Sequence, residues 1–342
     1  MSEDSYLKWM SSETQTSWWN DSGISSEITA SIDHGAVGVT TNPILIYRAL
    51  SSNRNEWKTE IQKALRNHDS SDKAVALTGV VVKKASALLY PVFKQTDGNS
   101  GYACSQVDPA LSGNREEMLE AAVEMNNFGE NISVKLPATS AGLDVMEECV
   151  SRGIHVTVTV SFTLSQVLAI AERYRSARKK AKQIGKNPGK CFAVVMIGRL
   201  DDYIRDISLD MKANVDEIDI QSAGLAVVKR AYSIYQQENY EAELIIAAMR
   251  GTYHITELAG SKMIMSIHPD HQDPFLDNTM PKKELIENPV DPESIKKLMS
   301  IPEFINAYEP DGMKPDALIS YGAVQRTLTQ FSELGWKRLE GF

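Results

Sequence analysis

Asn131-Ile132-Ser133-Val134-Lys135-Leu136-Pro137-Ala138-Thr139 is an apolar run that carries a lysine near its end and closes on a proline. Strands alternate their side chains, so Ser133, Lys135 and Pro137 share one face while Ile132, Val134 and Leu136 share the other. The Ile/Val/Leu face suits a covering layer of helices, which directs the lysine into whatever the sheet encloses. Lysine is rarely buried without a partner. Two readings stand at this point. The side chain snorkels out of a strand end, or it is held dry with a lowered pKa, as an amine ready to condense with a carbonyl.

On either side of this run, short apolar segments alternate with amphipathic ones. Strands are expected over 16–21, 35–43, 102–107, 131–139, 155–160, 191–197, 244–248 and 263–267. Helices are expected over about 25–34, 53–66, 71–94, 114–127, 141–152, from 163 onward, 217–239 and 255–259, with a last one near 317–339. Eight strands alternating with helices are the mark of parallel βαβ units, and eight is the number that closes such a sheet into a (β/α)₈ TIM barrel. An open doubly wound sheet ranks second, because no Gly-x-Gly-x-x-Gly turn follows the first strand. With no linker in view, residues 1–342 are expected to form one α/β barrel domain. From about 270 to 342 a proline-punctuated helical extension packs on it.

Composition sets the bounds. A formal charge of −9 argues against general nucleic-acid binding and for a freely diffusing protein. Cys104, Cys149 and Cys191 are odd in number and far apart, which fits neither a zinc cluster nor a disulfide framework and suits a reducing cytoplasm. The start, Met1-Ser-Glu-Asp-Ser5, is acidic and polar, and neither a signal peptide nor a membrane span is expected.

Chemistry in such barrels is built at the C-terminal ends of the strands. Read in order, those ends carry Asp21, Asn42, Gln106, Lys135, Thr159, Met196 with Arg199, Arg250 and His268. An acid, two amides, a lysine, a hydroxyl and two arginines converging where small or apolar residues are usual point to an active site.

These residues also carry a resemblance. Gly38-Val-Thr-Thr-Asn-Pro43, Ser105-Gln-Val-Asp-Pro109, Val134-Lys-Leu-Pro-Ala-Thr-Ser-Ala-Gly142 and Gly198-Arg199 resemble transaldolase signatures, and their order and spacing cover nearly the whole chain. The resemblance implies a (β/α)₈ barrel, as the strand count does. It implies that Lys135 forms a Schiff base with the C2 carbonyl of a phosphorylated ketose, and that Asp21 takes the C4 hydroxyl proton as the C3–C4 bond breaks. By the same resemblance Asn42 holds substrate hydroxyls, Thr159 supports proton transfer with a water, and Arg199 and Arg250 bind the substrate phosphate. Thr41 and Met196 complete the substrate side. No cofactor and no metal are implied, since the protonated imine is itself the electron sink. The partners implied are phosphorylated ketose and aldose substrates, with no nucleic acid and no membrane; whether copies assemble into a homo-oligomer stays open.

The chain departs from the family at three positions. Gln106 stands where a glutamate is expected, and an amide orients a water but cannot shuttle its proton. Gln at this position resembles the fructose-6-phosphate aldolases, which release dihydroxyacetone rather than transfer it. Those enzymes carry a tyrosine on strand six where transaldolases carry phenylalanine, and here Met196 matches neither. Val194 replaces a substrate-binding serine, leaving Tyr203 or Tyr253 to supply a hydroxyl. Three outcomes therefore remain: transfer of a dihydroxyacetone unit, simple cleavage by a lyase, or a sugar-phosphate-binding barrel without turnover.

Weaker signals have simpler explanations. His268-Pro-Asp-His271 reads as a pair on a rim loop rather than a metal site. His254 either faces the phosphate or caps a helix. The Lys/Arg-rich segment 173–190 reads as a solvated face. Cys104 shares the face of Gln106, and Tyr308, Tyr321, Phe331 and Trp336 either pack among helices or cover the barrel mouth.

Overall fold

The computed structural model of the protein describes residues 5–66 and 73–342. The acidic stretch 1–4 and the first two residues of the helix expected over 71–94 lie outside them. The strands are β1 (Ser17–Asn20), β2 (Gly38–Val39), β3 (Tyr102–Gln106), β4 (Ile132–Pro137), β5 (Val156–Thr159), β6 (Cys191–Met196), β7 (Glu243–Ala247) and β8 (Ile264–Ile267). They close in sequence order into a parallel barrel, with β8 paired to β1. Helices between the strands form the outer layer, so the fold is a (β/α)₈ TIM barrel.

Strand alternation builds that barrel in layers. Val134, Leu136, Val156, Val158, Ala193 and Val195 face outward and join the helices in one large apolar cluster. Inward, the first layer is aromatic: Trp19 meets Phe192 edge-on at 4.9 Å, and Tyr102 meets Phe192 at 5.3 Å. Gly38 is required here, because a Cβ on it would lie 2.4 Å from the Trp19 ring. Above the aromatics sits a small polar layer in which Ser133 and Thr157 share a hydrogen bond of 2.7 Å, with the Cys104 thiol 3.4 Å from Thr157. Two residues further along each strand come Asp21, Thr40, Gln106, Lys135 and Thr159. A wedge of aromatic rings thus fills the lower barrel and forces the polar positions to its upper end.

The turns above that end are tightly held. Gly142, in the first turn of the helix Ser140–Ser151, lies so close to the end of β4 that a Cβ would sit 1.9 Å from the Pro137 carbonyl oxygen. Val160 after β5 and Ala248 after β7 have φ of 54° and 58°, the left-handed region that costs a β-branched residue most. The buried Gln166 side chain spans the ends of β4 and β5: its Nε2 donates to the carbonyls of Ala138 (3.0 Å) and Val160 (3.1 Å). Its Oε1 accepts from the Phe162 N–H at 2.9 Å.

Three elements differ from expectation. The second strand covers only Gly38–Val39, because Asn42 caps a helix over Pro43–Ser52, accepting from the Ile44 and Leu45 N–H groups, with proline at its first position. β6 runs straight into the helix Ile197–Met211, so Arg199 stands on a first helical turn rather than on a strand end. The expected last helix is a 3₁₀ turn (Pro315–Ser320), an α-helix (Gly322–Phe331), a π turn (Ser332–Trp336) and a short helix (Lys337–Glu340). The π turn packs on the helix Pro43–Ser52, where a Cβ on Gly335 would lie 2.6 Å from Ile44 N. The helix Lys73–Gln95 is long and apolar enough to cross a membrane by length and composition, and here it buries Leu77, Val81, Val82 and Leu89 in the barrel core. The basic segment lies along the helix Leu164–Gln183 and beyond, where Arg173, Arg175, Arg178, Lys180 and Lys190 each pair with a carboxylate.

Candidate active site

Lys135 is 5 % exposed, and its Nζ donates to the Thr41 carbonyl at 3.0 Å. Burial lowers its pKa most; the Cys104 thiol and the Asp21 carboxylate act in the opposite direction, and the Arg199 charge adds to the lowering. The strand therefore holds its lysine inside, and the snorkelling reading fails. Thr41 touches the amine through its main chain, while its hydroxyl donates to the Cys104 carbonyl at 2.8 Å. That places the Thr41 side chain away from the cleft on which a substrate would lie.

The cleft above Lys135 has a volume of about 170 Å³, and Asp21, Asn42, Lys135, Thr159, Met196, Arg199 and Arg250 all line it. Asp21 is half-buried and its Oδ1 accepts from the Thr40 hydroxyl at 2.6 Å. Thr40 has one proton to give, so the Ser266 hydroxyl, 2.5 Å away, donates to it in turn. Two hydroxyls in series thus fix the carboxylate as an acceptor and leave Oδ2 for a ligand. Sequence reading missed both, although Thr40 and Ser266 fall on the inward parity of β2 and β8.

Asn42 has a double role. Its Oδ1 is used by the helix cap, which leaves the Nδ2 edge for the cleft. Gln106 is buried beside Lys135, its direct partner in the β3–β4 register. The Gln106 Oε1 and the Thr159 Oγ1 are both buried without a protein partner. Buried polar atoms are normally satisfied, so each has room for a water or a ligand group; Thr159 lines the cleft, whereas Gln106 is not among its lining residues.

The far wall is basic. Arg199 lies with its guanidinium 5.2 Å from the centre of the Phe331 ring and donates to Gln330 and to Thr327 (3.5 Å). Burial first, and the Arg250 charge second, bring its pKa down to about 10, so it stays cationic at neutral pH. Arg250 is exposed; its Nε donates to Asp202 at 2.9 Å and its Nη1 to the Ala248 and Met249 carbonyls. The Phe331 ring lines the cleft, as do Val194, His268 and His271. His268 Nε2 lies 3.1 Å from Arg48, and burial, His268 and Arg250 together hold the His271 pKa below its ordinary value. Tyr203 and Tyr253 are not among the lining residues. Tyr203 packs on Tyr321, and Tyr253 donates to Asp201 at 3.0 Å, so neither hydroxyl makes good the Val194 change. His254 does not line the cleft: it is fully buried against Asp201, and its Nδ1 accepts the Arg250 N–H just ahead of the helix Thr252–Thr256.

The comparisons with known proteins point to one family. The family model described as Transaldolase/Fructose-6-phosphate aldolase matches residues 18–325. Similar curated proteins include the transaldolases of Mycobacterium tuberculosis (strain ATCC 25618 / H37Rv) and Mycobacterium bovis (strain ATCC BAA-935 / AF2122/97). Each is 28 % identical over 267 residues, covering 73 % of this chain and 70 % of its own length. Transaldolase 2 of Streptomyces avermitilis is 30 % identical over 240 residues, covering 67 % of this chain and 64 % of its own length.

Proposed function

The chain belongs to the transaldolase/fructose-6-phosphate aldolase family, and we propose that this aldolase-type enzyme acts on phosphorylated ketoses through a Schiff base on Lys135. The observation that carries the reading is the buried Lys135 amine, its pKa lowered, under a cleft with Asp21 on one wall and Arg199 and Arg250 on another. An amine that sheds its proton easily attacks the C2 carbonyl of the ketose; loss of water gives a protonated imine. Asp21 then removes the proton of the C4 hydroxyl. The C3–C4 bond breaks, its electron pair flows into the imine to give an enamine, and an aldehyde leaves with the phosphate. A planar guanidinium matches phosphate oxygens, and two of them facing one cleft suit a dianion.

For the second half there are two routes. In transfer, the enamine carbon attacks the carbonyl of an incoming aldose phosphate, whose oxygen takes the proton held by Asp21; water then hydrolyses the imine. In cleavage, the enamine is protonated and hydrolysed to free dihydroxyacetone. We take transfer as the principal reading. Gln106 favours the second, because an unpartnered amide beside Lys135 positions a water without exchanging protons with it. Reduction with borohydride in the presence of fructose 6-phosphate should fix a three-carbon fragment on Lys135. Absence of label there with every ketose phosphate tried would end the aldolase reading. Dihydroxyacetone release that needs no aldehyde acceptor would decide for cleavage.

A further inference from the structure

The two arginines stand on different elements, one on a helix and one on a loop. Arg199 is on the first turn of Ile197–Met211, and Arg250 follows the left-handed Ala248 in the loop after β7. Between them lies a polar pair that no step above uses. Asp201 and His254 are both 0 % exposed, and neither lines the cleft. The backbone N–H of Arg250 donates to His254 Nδ1 at 3.1 Å. An amide can only donate there, so Nδ1 is the acceptor and the ring proton sits on Nε2. Nε2–H in turn meets Asp201 Oδ2 at 2.9 Å. The same oxygen accepts from Tyr253, while Oδ1 accepts from the Gly224 N–H at 2.8 Å. Asp201 is two residues from Arg199 on one helical turn. The chain of contacts therefore runs from the Arg250 backbone through an imidazole and a carboxylate to the turn that carries Arg199. The segments are also packed without slack, since a Cβ on Gly198 would lie 2.4 Å from the Ala248 oxygen and 2.5 Å from Arg250 Cγ.

We propose that Asp201 and His254 are positioning residues that fix the separation of Arg199 and Arg250 and so set the affinity for the phosphate end of the substrate. For the identity of the ligand as a sugar phosphate, this rests on the aldolase reading above. Because neither residue reaches the cleft, their removal changes binding only through the arginines. The carbonyl end, on Lys135 and Asp21, is left as it was.

The test uses the full chain and three probes: fructose 6-phosphate, dihydroxyacetone and inorganic phosphate. His254→Gln keeps a donor for Asp201 but removes the acceptor of the Arg250 N–H. A lost hydrogen bond of ordinary strength should raise the KM for fructose 6-phosphate and the Kd for inorganic phosphate by roughly tenfold. The rate of reductive trapping with dihydroxyacetone, which has no phosphate, should stay within about twofold on the same reasoning. His254→Asn, whose oxygen replaces Nδ1 but which gives up the donor to Asp201, breaks the same chain at its other link and should weaken phosphate affinity to a similar extent, again without slowing dihydroxyacetone trapping. Asp201→Asn should behave like His254→Gln. If either is too unstable to purify, Tyr253→Phe removes one donor to Asp201 and is read in the same way. Unchanged phosphate affinity in these variants overturns the proposal, as does a loss of dihydroxyacetone trapping in step with fructose 6-phosphate. A wild-type protein that binds no inorganic phosphate and does not prefer fructose 6-phosphate to fructose overturns the sugar-phosphate reading, and this proposal with it.

Discussion

Gln106→Glu puts a carboxylate of the same shape beside the reacting amine. The two residues are Cα partners in the β3–β4 register, with both side chains inside the barrel. Neighbouring strands lie about 4.8 Å apart, so the new charge stands on the order of 5 Å from Nζ. At an effective dielectric constant of about 20 that is roughly 3 kcal/mol, or about 2 pKa units at 1.36 kcal/mol each. Burial penalises the carboxylate as well, so it keeps part of its proton, and a rise of about 1 to 2 units in the Lys135 pKa is expected. The native amine is held below its ordinary value, mainly by burial; the substitution returns it upward. The assay is cyanoborohydride trapping with dihydroxyacetone across the pH range. The acid limb of the trapping rate should move to higher pH by that amount, with the plateau above it retained. Below the limb, trapping should fall roughly ten- to hundredfold. In the same variant the added proton-transfer group should raise the share of transfer over free dihydroxyacetone when an acceptor is present. An acid limb that shifts by less than about 0.3 units would show that position 106 does not face the amine electrostatically, and the role assigned to Gln106 would fall with it.

Lys135→Met should abolish labelling by ketose and borohydride and should also raise Tm. Since the folded pKa of Lys135 lies below its unfolded value, the unfolded chain binds more protons between the two, so this lysine's cost is full below the folded pKa and vanishes above about 10.4. The Tm gain should accordingly be largest at low pH and shrink as pH rises toward that value. Asn42→Ala should lose about 1 kcal/mol of stability with its cap, read by chemical denaturation, whereas Asn42→Ser keeps a capping oxygen and should lose substrate affinity alone. Equal destabilisation by both would contradict the split between Oδ1 and Nδ2. Gly142→Ala drives a methyl into the Pro137 carbonyl, and at least about 3 kcal/mol of stability should go with it. A Gly142→Ala protein with wild-type Tm and trapping rate would refute the close approach.

The sequence carried the barrel because each strand's period-two pattern and the helical stretches between them agree on one architecture. It carried Lys135, Asp21 and the two arginines because those residue types are conspicuous at strand ends. Other parts were not legible, for identifiable reasons. The helix at Pro43 was hidden because Asn-Pro reads equally as a turn and as a capped first turn. The helix at Ile197 follows β6 with no break before it, and Gly198 in its first turn reads as the stop of a strand rather than the start of a helix. Thr41 is inseparable from its motif in sequence, yet only its carbonyl meets the lysine. Asp201 and His254 act through contacts between segments far apart in the chain, and Gln166 adds to its local capping box a bond to Ala138 that the sequence does not announce. Nothing local distinguishes them from ordinary surface or capping residues.

The helix Gly322–Phe331 supplies Phe331 to the cleft, and Thr327 and Gln330 to Arg199. It lies later in the chain than all eight strands. A ribosome therefore finishes the staves of the cask before it makes the lid. Until that late segment docks, the mouth lacks its Phe331 wall and Arg199 lacks its two side-chain acceptors, so completion of the cleft waits on the last part of the chain to be made.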